Sequence, residues 1–240
     1  MHQLTLSLSA TDFQIRRSQR AKRLRISINP LGLIEVVAPR RASTKTVTSF
    51  IQTHHEWIKQ KKCQIESMRS YDLDSASPSF VNLPAIEEQW NIIYTSGHST
   101  LKVEKDNVTN FNSLRLTVSR ESQTSELLKK WLNEKAKSSL LPWLDRISEE
   151  TGLDYAKANI RGQKTRWASC STDKNINLNR CMLFLRPEQV RYLMVHELCH
   201  TVEMNHSSRF WKLVRQYVPD YQRQEKIVND YCYKLPRWAF

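Results

Sequence analysis

The stretch HELCHTVEMNH at 196–206 puts three of the chain's seven histidines and a glutamate into eleven residues, and it constrains the chain more than any other feature. Histidines four apart on a helix project from one face, at a spacing that lets two imidazoles bind a single divalent ion. In this HExxH pattern, His196, Glu197 and His200, the glutamate stands beside the ion's open position, where hydrolysis needs a base. The preceding residues supply the helix. Pro187 suits the first helical position, and Val190, Met194, Leu198 and Val202 recur every four residues as an apolar stripe. At about 100° per residue, both histidines lie well over a right angle from the middle of that stripe. One side of the helix therefore packs while the other presents ligands.

A catalytic zinc usually takes three protein ligands and keeps a fourth position open. His206 is the best third candidate, because its distance from His200 is the one found in HExxHxxGxxH sites, although Glu203 stands where those have glycine. A continuous helix would swing His206 off the ligand face, so the helix is expected to end near Met204 and Asn205, with Asn205 as a left-handed cap. Ser207 then caps a further helix carrying Phe210, Trp211, Val214 and Tyr217, stopped by Pro219. Glu203 falls on the histidine face and is the rival ligand, or a group that orients a histidine. Cys199 points elsewhere and reads as packing.

Length and composition bound the rest. A chain of 240 residues holds one large or two modest domains. Its five cysteines, at 63, 170, 181, 199 and 232, contain no CxxC pair, which argues against a disulfide framework or a zinc ribbon and fits a reducing compartment. There is no N-terminal apolar signal region and no apolar run of membrane-spanning length, so a cytoplasmic location is expected. The net charge of +13 is concentrated early, with ten Lys or Arg against three acids in residues 1–60. Such a patch attracts nucleic acid or other anions weakly and without sequence preference. Yet Arg23, Arg25 and Ser27 alternate with Leu24, Ile26 and Ile28, as on the wet face of a strand, and no aromatic residues interleave to stack bases.

In chain order, Phe13–Arg16, Arg23–Asn29 and Leu33–Ala38 read as strands, the last two joined by a hairpin turn through Asn29, Pro30, Leu31 and Gly32. One helix follows from Ser43 or Thr44, burying Val47, Phe50, Ile51, Trp57 and Ile58, and residues 71–79 read as a loop. Strands resume at Trp90–Tyr94, Leu101–Val103 and Leu114–Val118. Residues 124–151 form a long helical pattern, bent near Pro142 and closed by Gly152. Ala158–Arg161 and Ile176–Leu178 are strands around RWASCSTDKN, ahead of the metal helix. The reading is an α+β fold: a basic, β-rich N-terminal region with one helix at 1–120, then a helical hydrolase domain with a small sheet at 121–240. A sheet edge beside the site would hold an extended substrate by main-chain hydrogen bonds.

RWASCS at 166–171, INLN at 176–179, the run ending in HELCH at 200, NHSSRFW at 205–211 and PDY at 219–221 resemble the YgjP-like metallopeptidases, relatives of the SprT and WLM zincins. Ala168 departs from the glycine usual in that family's WGSC motif. The resemblance implies a zincin-like catalytic domain, Zn²⁺ on His196, His200 and His206, Glu197 as general base, and a peptide or protein substrate. Trp167, Ser169 and Cys170 receive no role from it beyond packing beside the site or touching substrate, and Arg166 is a candidate for an anionic group. Nucleoside triphosphate hydrolysis, attributed to similar proteins, is a second reading that the charge suits, but with only four glycines the chain has no glycine-rich phosphate loop. A zinc-stabilised binding module ranks third, since a structural site needs no base and normally has four protein ligands.

Overall fold

The computed structural model describes residues 13–28, 32–68, 77–97, 100–105, 112–118 and 123–239. The chain divides into two compact units, residues 1–69 and 70–240. Positions 29–31 of the expected hairpin turn, and 71–76 of the expected loop, lie outside the described residues.

In the first unit, β1 (Phe13–Ser18) runs parallel to β3 (Ile34–Pro39), and β2 (Arg25–Ile28) runs antiparallel to β3 on its other side. Ile34, Val36 and Ala38 alternate onto one face of β3 and pack with Val47 and Ile58, while Ile26 and Ile28 line the same core and Arg25 stays wet. The stretch read as one helix is two, α1 (Thr44–Thr53) and α2 (His55–Met68). His54 causes the break: its Nδ1 lies 2.8 Å from the Phe50 carbonyl oxygen, and its backbone leaves helical geometry at φ −101°, ψ 11°. The interruption shifts the helical phase, so Ile58 is buried while Trp57, expected inside, is 45% exposed.

The second unit begins with a four-stranded sheet in the order β4-β5-β7-β6, built from β4 (Phe80–Leu83), β5 (Glu88–Ser96), β6 (Thr100–Lys105) and β7 (Asn112–Val118). Val81, Leu83, Trp90, Ile92 and Leu114 bury one side of it in a core shared with Leu128, Trp131, Leu132, Leu140, Leu144 and Ile147 of α3 (Thr124–Thr151). Pro142 lies inside this continuous helix, and Gly152 ends it at φ +68°, a conformation only glycine adopts cheaply, with its N–H on the Ser148 carbonyl.

A second small sheet, ordered β8-β10-β9, carries the motif residues. β8 (Lys157–Arg161) is parallel to β10 (Asn175–Asn179), and β9 (Ala168–Cys170) is antiparallel to it at the edge. β9 packs on α4 (Pro187–Cys199), which also contacts α3, α5 (Ser208–Tyr217) and α6 (Tyr221–Tyr231). Pro187 starts α4, and the stripe of Val190, Met194 and Leu198 is fully buried. The helix stops at Cys199, earlier than the expected end near Met204, and Val202 is 61% exposed rather than part of the stripe. Among the described residues no helix is long and apolar enough to cross a membrane.

Candidate metal centre

Ending α4 at Cys199 lets a tight turn bring His206 back. Thr201 N–H donates to the Leu198 carbonyl, and Val202 and Glu203 N–H both donate to that of Cys199, closing the last turn. Asn205 does not serve as a left-handed cap; the reversal comes instead from a very short turn in which Ser207 N–H donates to the Asn205 carbonyl at 2.7 Å. Ser207 then caps α5 as expected, its hydroxyl accepting from Phe210 N–H.

The result is a cluster of three imidazoles. One ring nitrogen from each of His196, His200 and His206 lies within 4.8 Å of the others. The His196 Nε2 is 3.2 Å from that of His200 and 3.1 Å from that of His206. Two nitrogens held about 2.05 Å from one ion at a tetrahedral angle stand about 3.3 Å apart, so the spacing fits a zinc-sized ion. The tautomers agree in part. His200 Nδ1 is 3.1 Å from the Glu203 carbonyl oxygen, which can only accept, so the proton sits on Nδ1 and the Nε2 lone pair faces the cluster. His196 Nδ1 is buried with no hydrogen-bond partner among the described residues, and its ring is held by packing. Burial, helped by the neighbouring imidazoles, pulls His196 down to about 3, and burial lowers His200 as well. Both favour the neutral form that binds metal.

Aromatic rings fix these imidazoles. Phe210 stacks on His200 at 4.4 Å and 23°, and Trp211 stacks on His206 at 5.5 Å and 26°. Neither contact was foreseen, although the helical spacing of Phe210 and Trp211 had marked them as apolar. The Glu203 carboxylate turns away to Arg209 at 3.1 Å, leaving its main-chain carbonyl to orient His200. Cys199 is fully buried.

Glu197 is 6% exposed, and burial raises its carboxyl to about 8, against the pull of Arg166 and of a hydrogen bond from the Cys170 N–H. That N–H belongs to β9, so the RWASCS motif supplies the main chain that holds the glutamate. Trp167 anchors the same strand by donating from Nε1 to the Val228 carbonyl at 3.3 Å. Behind it, Asn179 is 3% exposed and donates to the carbonyls of Gln163 and Arg166 at 2.7 and 2.9 Å, while accepting from Cys181 N–H at 3.0 Å. Asn179→Ala should therefore cost about 1–3 kcal/mol by leaving the buried Cys181 N–H and two part-buried carbonyls without their partner. Urea denaturation checks this, and a loss below ~0.5 kcal/mol would show that the network does not hold the loop.

Three convergent imidazoles, with a buried glutamate next to the first of them on a helix packed against a sheet edge, follow the HExxH metallohydrolase pattern. The chain belongs to the YgjP-like family: the model of the YgjP-like metallopeptidase domain matches residues 22–231. No curated protein matches the chain. Among solved structures, the metallopeptidase zymogen abylysin of Pyrococcus abyssi is 24% identical, covering 40% of this chain and 98% of its own at a TM-score of 0.36. The metallopeptidase zymogen jannalysin of Methanocaldococcus jannaschii is 23% identical, over 38% of this chain and 95% of its own, at a TM-score of 0.34.

Proposed function

We propose that the protein is a zinc-dependent peptidase in which His196, His200 and His206 hold the metal and Glu197 is the general base. The observation carrying this reading is the convergence of three ring nitrogens, two of the separations being 3.1 and 3.2 Å, with the buried Glu197 next to His196 in the same helix. Zinc, when bound, supplies Lewis acidity toward a carbonyl oxygen and makes water acidic enough to react near neutral pH.

The chain's own groups do the rest. A Glu197 carboxylate oxygen takes the proton from the attacking water and returns it to the leaving amide nitrogen. Burial equips it for both acts by bringing its affinity for a proton close to neutrality. The Cys170 N–H holds the carboxylate by a hydrogen bond from β9. β9 has a strand neighbour on one side only, and the main-chain groups of its outer edge other than the Cys170 N–H, which Glu197 takes, suit an extended peptide laid across the site. Phe210 and Trp211 stack on His200 and His206 and so restrict those two imidazoles to one orientation.

Chelation should abolish hydrolysis of an unfolded protein, and one equivalent of zinc should restore it. An assay of unfolded protein and of nucleoside triphosphates, run on stripped and reloaded chain, checks this. Restored triphosphate cleavage without peptide cleavage would replace the peptidase reading with the nucleotide one.

A further inference from the structure

Arg166 stands two residues before β9, and its charge reaches Glu197. The main chain there is pinned, because the Arg166 carbonyl accepts from the buried Asn179 side chain at 2.9 Å. The side chain is different. It is exposed, and among the described residues its guanidinium makes no ion pair and no hydrogen bond, with Glu197 or with any other group. Five N–H donors in a planar fork are thus left free within electrostatic reach of Glu197, in the geometry that grips a carboxylate through two parallel bonds.

A second cation lies at the other end of the same strand. Lys174 closes the turn between β9 and β10 at φ +56°, its N–H on the Ser171 carbonyl, and its exposed ammonium is near enough to act on Cys170. It too lacks an ion-pair partner among the described residues. Of the acids here, Glu197 is buried, and the exposed Asp173 adjoins Lys174 in the turn without an ion pair to it among the described residues. A peptide lying along β9 would pass from one free cation to the other. Fold stability does not account for the arrangement, since exposed unpaired charges contribute little to it.

We propose that Arg166, assisted by Lys174, forms a carboxylate-binding subsite, and that the peptides turned over at this site carry Asp or Glu beside the scissile bond. The proposal rests on the peptidase reading above and adds a substrate class to it. Arg166 is then a specificity residue: it sorts substrates and takes no proton.

Two measurements test it on the full chain. In the first, the zinc-loaded protein digests a degenerate peptide library and mass spectrometry maps the cuts. Wild type should favour Asp or Glu over Asn or Gln within two residues of the cut by roughly 10- to 100-fold, the worth of a charged hydrogen bond. Arg166→Ala should erase that ratio, Arg166→Lys should keep part of it, and Arg166→Glu should turn it toward Lys and Arg. In the second, the zinc-loaded Glu197→Gln chain captures peptides from the same library, with and without Arg166→Ala. Acidic peptides should be retained only when Arg166 is present. Cutting without an acidic preference, or a preference that survives Arg166→Ala, sinks the subsite and leaves the peptidase reading standing. No cutting by wild type, with Arg166-dependent capture of acidic peptides intact, sinks the peptidase reading and keeps the subsite. Neither cutting nor selective capture overturns both.

Discussion

Glu197→Gln should leave zinc bound and lower peptide hydrolysis by about 10²-fold or more. The amide keeps the size of the carboxylate and an oxygen to accept the Cys170 N–H, so the buried side chain stays in place. None of the three imidazoles depends on it for a hydrogen bond. What the substitution removes is the ability to accept a proton near neutral pH. Metal analysis and kcat/KM against an unfolded protein, measured on one preparation, separate the two effects. Hydrolysis at the wild-type rate in a zinc-loaded mutant would place the base elsewhere or assign the activity to a contaminant. Loss of the metal together with activity would mean that Glu197 supports the site structurally.

The second large effect concerns the third ligand. His206→Ala should weaken zinc binding by more than the roughly 10- to 100-fold typical of losing a group that merely orients a ligand. The expectation rests on the stacking of Trp211 on His206, which holds the ring, and on its 3.1 Å approach to His196. Glu203→Ala is the informative partner. It deletes the carboxylate paired with Arg209 but keeps the carbonyl that meets His200, so zinc should remain. Competition with a chromophoric chelator measures both affinities. Metal loss in Glu203→Ala with retention in His206→Ala would reverse the assignment.

Much of this arrangement was legible in the residues. The spacing of His196, Glu197 and His200, the proline start of their helix and the Ser207 cap all depend on local rules, and the structure follows them. The α+β organisation was readable too, because the alternation in β2, the short apolar runs of β3 and β5 and the long period of α3 are strong signals. Four features were not. β9 is only three residues long and shows no period, so its role under Glu197 depends on pairing with β10, which is not local. Phe210 and Trp211 have the spacing of core residues, and nothing in a single helix distinguishes a ring that fills a core from one that clamps an imidazole. The stop at Cys199 came from a closing turn of main-chain bonds, where side-chain preferences pointed to Asn205. His54 misled for a related reason: its ring competes for a carbonyl of its own helix and breaks a pattern that apolar spacing alone would continue.

The Glu203 carbonyl that accepts the His200 Nδ1–H hydrogen bond is part of the peptide backbone. Carboxylate partners of histidine can be protonated in acid or deleted by one codon change. A peptide oxygen is exposed to neither, because every residue type at 203 carries it and it does not titrate in water's accessible range. The tautomer of His200 is therefore inherited from the path of the chain. Position 203 is left free to vary in charge without disturbing that imidazole, and acid inactivation of the site must begin at some other group.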